Sequence, residues 1–363
     1  MTRPAPRRAA SAAAIVAAIA TGAAGAVVAR SSGEPAAYTA HVLVSDGGVR
    51  APHRDPGLVN AWGLAASPTG PWWVGNEARD TSTLYAGDGR KQLLTVSVPG
   101  GPTGVAYHGG RGFLVRAAGR SAPARFVYAC EDGRIRAWTP TVPGGWSARA
   151  EIAVDASARG AVFRGVAIAR GRLYATDVHA DRVDVFDSRW RPVRVPGGFR
   201  DPQVPDWYAP DGIAVAGGRV FVTYVWRAPV DGNDAPSGGY VDEFDLDGRL
   251  VSRVARMGPL AEPWGLALAP RSFGRFGGDL LVASFGDGRI DAYRRAGAGW
   301  RYDGVLRDRD GRPLVVGGIW GIAFGNGADA GPRDTLYAAA GPHRWHGASE
   351  LAVHGALVAI RPA

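Results

Sequence analysis

The chain of 363 residues has one cysteine, Cys130, one lysine, Lys91, and two methionines. A lone cysteine excludes an intramolecular disulfide framework and any zinc site built from several thiolates. Positive charge falls to arginine: 42 Lys+Arg face 33 Asp+Glu, for a net charge of +9. The arginines are dispersed and no basic run alternates with aromatics, so the composition argues against a nucleic-acid partner. Beyond residue 37 no stretch keeps a 3.6-residue period, which excludes a helical bundle. No segment after the N-terminal run is apolar enough to span a membrane. G-x-S-x-G, H-E-x-x-H, the Walker A loop and the dinucleotide fingerprint are all missing from the chain after the leader. Enzymes that announce themselves by a linear motif are thereby disfavoured, but sites assembled from separated loops are not.

What is abundant is glycine, with 53 residues, together with 26 prolines and 12 tryptophans. At 46% hydrophobic and 21% charged residues, the composition is that of a globular protein. The N-terminus reads as an address. Arg3, Arg7 and Arg8 precede a small, apolar run from Ala9 to Ala29, a secretory signal pattern with cleavage expected near Ala29 or shortly after. An uncleaved anchor is the alternative. Residues 1–37 are accordingly read as signal peptide and short linker, and residues 38–363 as the mature domain.

That domain repeats itself six times. A glycine flanked by apolar and small residues recurs in Trp62-Gly63-Leu64-Ala65, Thr103-Gly104-Val105-Ala106, Arg164-Gly165-Val166-Ala167, Asp211-Gly212-Ile213-Ala214, Trp264-Gly265-Leu266-Ala267 and Trp320-Gly321-Ile322-Ala323. The glycines are spaced by 41, 61, 47, 53 and 56 residues. Each copy is followed by a β-rich run such as Trp72-Trp73-Val74-Gly75, and most by another such as Arg182-Val183-Asp184-Val185-Phe186. A weaker fourth run is expected in each unit. Period-2 runs bounded by Gly, Asp and Pro are strands, and four-stranded units of this length are propeller blades. The expectation is an all-β, six-bladed β-propeller of four-stranded antiparallel blades. The sixth unit is short of a strand, and the spare run His41-Val42-Leu43-Val44 is expected to supply it and close the ring.

The phrases Leu58-Val59-Asn60-Ala61-Trp62-Gly63-Leu64-Ala65, Phe285-Gly286-Asp287-Gly288-Arg289-Ile290 and Ile319-Trp320-Gly321-Ile322-Ala323-Phe324-Gly325-Asn326-Gly327 resemble the TIGR03118 family. These are bacterial secreted NHL-like propellers of uncharacterised function. The resemblance runs from about Val42 to Gly341 and implies export and six blades. It brings no catalytic residues. His343-Arg344-Trp345-His346 departs from the family, where a short polar, acidic stretch is expected.

In a meander of four strands, the loops before the first strand and after the second share one face. Residues placed on that face are Asn60, Trp62, Asn76, Glu77, Glu131, Arg164, Asp177, His179, Asp211, Tyr224, Glu262, Trp264, Phe285 and Trp320. Aligned on a small residue in each second strand (Gly75, Ala129, Ala175, Thr223, Ala283, Ala338), Glu77, Glu131 and Asp177 occupy one equivalent position two residues on. The expectation is an acid-lined mouth. Glu77, Glu131 and Asp177 could hold Ca²⁺, or Zn²⁺ with His179 added. The plainer alternative has these acids paired with Arg134, Arg164 or Arg182 to hold loops in place. The recurring tryptophans suit packing between blades, with a stacking surface left open. His343 with His346, and Asp231-Gly232-Asn233-Asp234, are weaker metal candidates. Cys130 reads as a buried filler. Function stays open between a secreted binding module for an unknown extracellular ligand or protein, acting as a monomer, and a metal-dependent hydrolase or lyase of lactonase-like type.

Overall fold

Every repeat glycine has a steric reason. In the computed structural model, which describes residues 36–227, 238–341 and 354–363, a Cβ built on Gly212 would sit 2.0 Å from the carbonyl oxygen of Trp264. On Gly265 it would sit 2.4 Å from that of Trp320, and on Gly321 it would sit 2.7 Å from that of Trp62. Gly63, Gly104 and Gly165 meet the carbonyls of Thr103, Arg164 and Asp211 in the same way. Each glycine lets its strand press against the next, so the six contacts run round a circle and return to the first. The six innermost strands form that circle: Ala61–Ala66, Pro102–Tyr107, Phe163–Ala169, Tyr208–Ala216, Pro263–Leu268 and Ile319–Phe324.

Each innermost strand opens an antiparallel sheet directed outward. The first blade adds Trp72–Asn76, Thr81–Tyr85 and Lys91–Ser97; the second adds Phe126–Cys130, Arg134–Trp138 and Glu151–Asp155. The fourth adds Arg219–Trp226, Tyr240–Phe244 and Leu250–Arg256; the fifth adds Leu280–Ser284, Ile290–Ala296 and Gly299–Val305. In the sixth, Leu336–Ala340 and Ala356–Pro362 are followed by Tyr38–Ser45, which pairs antiparallel with Ala356–Pro362 from Tyr38↔Pro362 to Ser45↔Ala356. The fold is a six-bladed β-propeller. No helix among the described residues is long and apolar enough to cross a membrane.

Two features depart from the sequence expectation. The third blade has three strands, Phe163–Ala169, Arg172–Asp177 and Arg182–Asp187, with only an isolated bridge from Phe186 to Pro192 beyond them. Pro192, Pro196, Pro202 and Pro205 fall where a fourth strand would run, and proline has no N–H for the ladder. The second blade carries an extra hairpin, Leu114–Ala117 with Arg120–Pro123, which accounts for the longest repeat spacing.

The register holds the key to the site. Leu64↔Val74, Val105↔Tyr128, Val166↔Ala175, Ile213↔Val222, Leu266↔Val282 and Ile322↔Ala338 are equivalent pairs. Just before each pair the ladder slips, so that two residues of the innermost strand face one of its neighbour. The two are always the repeat glycine and its predecessor. Such a bulge bends the strand and re-aims a side chain. In two blades the opposing residue is a threonine whose hydroxyl accepts from the glycine N–H, Thr176 for Gly165 at 2.7 Å and Thr223 for Gly212 at 2.8 Å.

Candidate functional site at the channel mouth

The residue before each repeat glycine is Trp62, Thr103, Arg164, Asp211, Trp264 or Trp320, one per blade. Below this ring, between the innermost strands, runs a channel of about 240 Å³ lined chiefly by aliphatic side chains, and Trp264 borders it. The ring residues meet across the axis: Trp62 of the first blade touches Trp264 of the fifth and lies near Arg164 of the third. One half of the mouth is aromatic and the other polar.

The aromatic half is a column. Phe285 stacks on Trp320 at 3.9 Å and 18°, and Trp320 stacks on Trp62 at 3.8 Å and 15°. The Arg164 guanidinium lies over the Trp62 ring, Cζ 5.7 Å from its centroid, in cation–π range. Trp264 meets both Trp62 and Trp320 edge-on at 6.3 Å. Asn60 braces the column, its Oδ1 accepting from Trp320 Nε1 at 3.2 Å and its Nδ2 donating to Glu77 Oε2 at 2.7 Å. The tryptophans are buried, so packing between blades is their first role.

In the polar half, Arg164 lies 3.4 Å from both Glu131 Oε1 and Asp211 Oδ1. The Asp211 charge, seconded by Glu131, holds the guanidinium firmly protonated against its burial. Burial raises the Asp211 carboxyl, with Arg164 opposing. It also raises Glu131, where Arg164 opposes and the charges of Glu77 and Asp211 add to the rise. Glu262 is raised by burial and then by Asp211, and Arg164 again opposes. One cation thus serves several carboxylates.

Glu262 differs from its neighbours. Its backbone φ is +54°, and the equivalent residues in the second and sixth blades are Gly101 and Gly318, at +68° and +67°. A side chain in this left-handed region costs about 1–2 kcal/mol. Asn60, the equivalent in the first blade, has φ +49° and uses its side chain to brace the column. The Glu262 carboxylate, half-buried, has no hydrogen bond or ion pair among the described residues. Two donors nearby are equally without a hydrogen-bonded partner among the described residues, Trp62 Nε1 and Trp264 Nε1.

The register corrects the expected metal set. The true equivalents of Asp177 are Asn76, Cys130, Tyr224, Ser284 and Ala340, while Glu77 and Glu131 lie one residue further along. A one-residue slip turns side chains to the opposite side of the sheet. Asp177 therefore turns away from the mouth, pairing with Arg159 Nη1 at 2.5 Å and accepting from the backbone N–H groups of Val162 and Ala180. His179 lies against Gly160. Asn76 donates to Thr81 and Thr83 at 3.1 and 2.9 Å, and Tyr224 is buried beside Asp242. Among the described residues, no three acidic, histidine or cysteine side chains converge to hold an ion. His343, His346 and residues 231–234 lie outside the described residues. Burial pushes the Cys130 thiol up to about 12, which silences it as a nucleophile. Thr103, overlooked as a ring member, was marked by its place before a repeat glycine.

No family model matches the chain. The uncharacterised protein L690 of Acanthamoeba polyphaga mimivirus is 32% identical over 303 residues, covering 79% of each chain. Among solved structures, the PQQ-bound aldose sugar dehydrogenase of Streptomyces coelicolor superimposes with a TM-score of 0.51 at 16% identity, over 90% of this chain and all of that one. A catalytically inactive virginiamycin B lyase of Staphylococcus aureus with quinupristin gives 0.50 at 9% identity, over 89% and 99%. At these identities the likeness concerns the fold alone.

Proposed function

The chain belongs to the same family as mimivirus protein L690, and from that premise we propose that it is an exported, monomeric propeller that binds a small molecule at the mouth of its channel. Glu262 carries this reading. Its carboxylate stands in a backbone conformation that two other blades reserve for glycine, it is half-buried, and no side chain of the described residues answers it. Strain of this kind persists where the surroundings enforce it, and it clusters at ligand clamps. Arg164, held by Trp62, Glu131 and Asp211, supplies a fixed donor beside it. Export rests on the Arg-led, Ala-rich leader, and monomeric action on a ring that its own six innermost strands complete.

A panel of polar metabolites screened by thermal shift tests the reading. A ligand is expected to raise the melting temperature of the wild type. Glu262→Gln and Arg164→Gln are each expected to weaken that ligand about tenfold or more, as for hydrogen bonds to charged groups. Ligands indifferent to both substitutions would place binding elsewhere. Turnover of a panel member, lost in Glu262→Gln, would instead favour hydrolase or lyase chemistry with a raised carboxyl as general acid.

A further inference from the structure

We infer that the ligand at the mouth is a neutral polyhydroxylated molecule, a saccharide, gripped by the indole N–H groups of Trp62 and Trp264 and by the carboxylates of Glu131 and Glu262. This rests on the mouth being the ligand site.

The inference comes from matching donors and acceptors. Trp62 is 4% exposed and Trp264 9%, yet neither indole N–H has a partner among the described residues, and Trp264 borders the channel beneath the mouth. A buried donor left unmade costs free energy, so each such group in a native structure calls for an acceptor. Arg164 Nε, by contrast, is already answered by Glu131 Oε1 at 3.4 Å. Beside them stand the acceptors, Glu262 without a partner among the described residues and Glu131 sharing Arg164 with Asp211.

An anion would satisfy the two indoles, but it would enter among Glu77, Glu131, Asp211 and Glu262 with Arg164 alone of the described residues to offset them. A cation would satisfy Glu262 and leave both indoles orphaned. A hydroxyl group donates and accepts at once, so neighbouring hydroxyls on one ring can answer both sets. Phe285, stacked on Trp320 by one face and half-buried, follows Glu262 across the ladder, its N–H bonded to the Glu262 carbonyl at 2.9 Å. Its ring offers apolar contact to the C–H face of a sugar.

The test reads the indoles directly. The full-length mature protein is labelled with ¹⁵N-tryptophan, and the Nε1–H resonances of Trp62 and Trp264 are assigned by single Trp→Phe substitutions. Glucose, galactose, mannose and trehalose are titrated, each to about 50 mM so that a millimolar site fills, alongside putrescine and inorganic phosphate. Saccharides are expected to shift both resonances with saturation. Trp264→Phe, which keeps an aromatic ring, though a smaller one, and loses the donor, is expected to weaken binding about fivefold. Saturable shifts with putrescine or phosphate and none with the sugars would overturn the saccharide inference and leave the mouth as the site. Sugar binding that moves other indoles and ignores Trp264→Phe would overturn the mouth itself. Silence from every probe would overturn the saccharide inference.

Discussion

Alanine at Gly212 is expected to cost about 4 kcal/mol or more, in the range where single substitutions unfold a domain. The added methyl would lie 2.0 Å from the Trp264 carbonyl oxygen, with Thr223 Oγ1 at 2.9 Å. The obstacle is backbone belonging to the neighbouring blade, so no rotamer change relieves it. The contact is one of six that pass the ring from blade to blade, and loosening it separates the fourth blade from the fifth. Gly299→Ala is the control, because nothing lies within 4 Å of a Cβ there and its backbone is not in the left-handed region. Urea denaturation should show Gly212→Ala collapsed in midpoint or unfolded and Gly299→Ala within about 1 kcal/mol of wild type. Equal midpoints would mean that the innermost strands do not need the approach that the repeat glycines permit.

Glu243→Ala should be nearly as damaging, at about 3 kcal/mol, the lower end of the cost of breaking a buried charged pair. Glu243 is fully buried at the outer side of the fourth blade. It takes two bonds from Arg295, at 2.7 and 2.5 Å, and one each from Ser252 at 2.7 Å and Trp300 at 3.0 Å. Arg295 also stacks over Trp300, 4.4 Å from its centroid, tying the fourth blade to the fifth. Burial works against the charge on Glu243, but Arg295, Trp300 and Ser252 outweigh it and hold the carboxyl below its ordinary value. A depressed pKa stabilises the fold above the unfolded value and stops doing so as pH falls through the folded one. The difference in stability between wild type and Glu243→Gln should therefore be full at neutral pH and shrink below about pH 4.3. A difference that stays constant down to the acid unfolding limit would contradict this origin.

How far these features could be read in the sequence depends on what each residue reports. A glycine before an apolar pair reports a backbone approach, and six copies are a count of blades. The aromatic and charged residues before those glycines share a position, so Trp62, Arg164, Asp211, Trp264 and Trp320 were legible as one ring. Glu262 and Asn60 were legible as neighbours of that ring, though not their left-handed backbone. The second strands were misread because the bulge leaves one residue facing two. Choosing the small residue in each strand as the anchor selects Ala175 in the third blade, where the structure places Thr176 opposite the Arg164-Gly165 pair. That slip carried Asp177 into the mouth and, with His179, created a metal set that the fold divides. The missing strand of the third blade was signalled by four prolines in its place.

The account turns on the mouth holding strain for the sake of a ligand, and replacing Glu262 by glycine measures this most directly. Removing a side chain from φ +54° should make the protein more stable in urea, by about 1 kcal/mol. The same variant should lose the thermal shift that the wild type shows with its best ligand, the exchange of stability for function that a strained site predicts. A variant that is less stable than wild type, or that keeps the full ligand-induced shift, would show that Glu262 serves the fold, and the mouth would lose its claim to be the site.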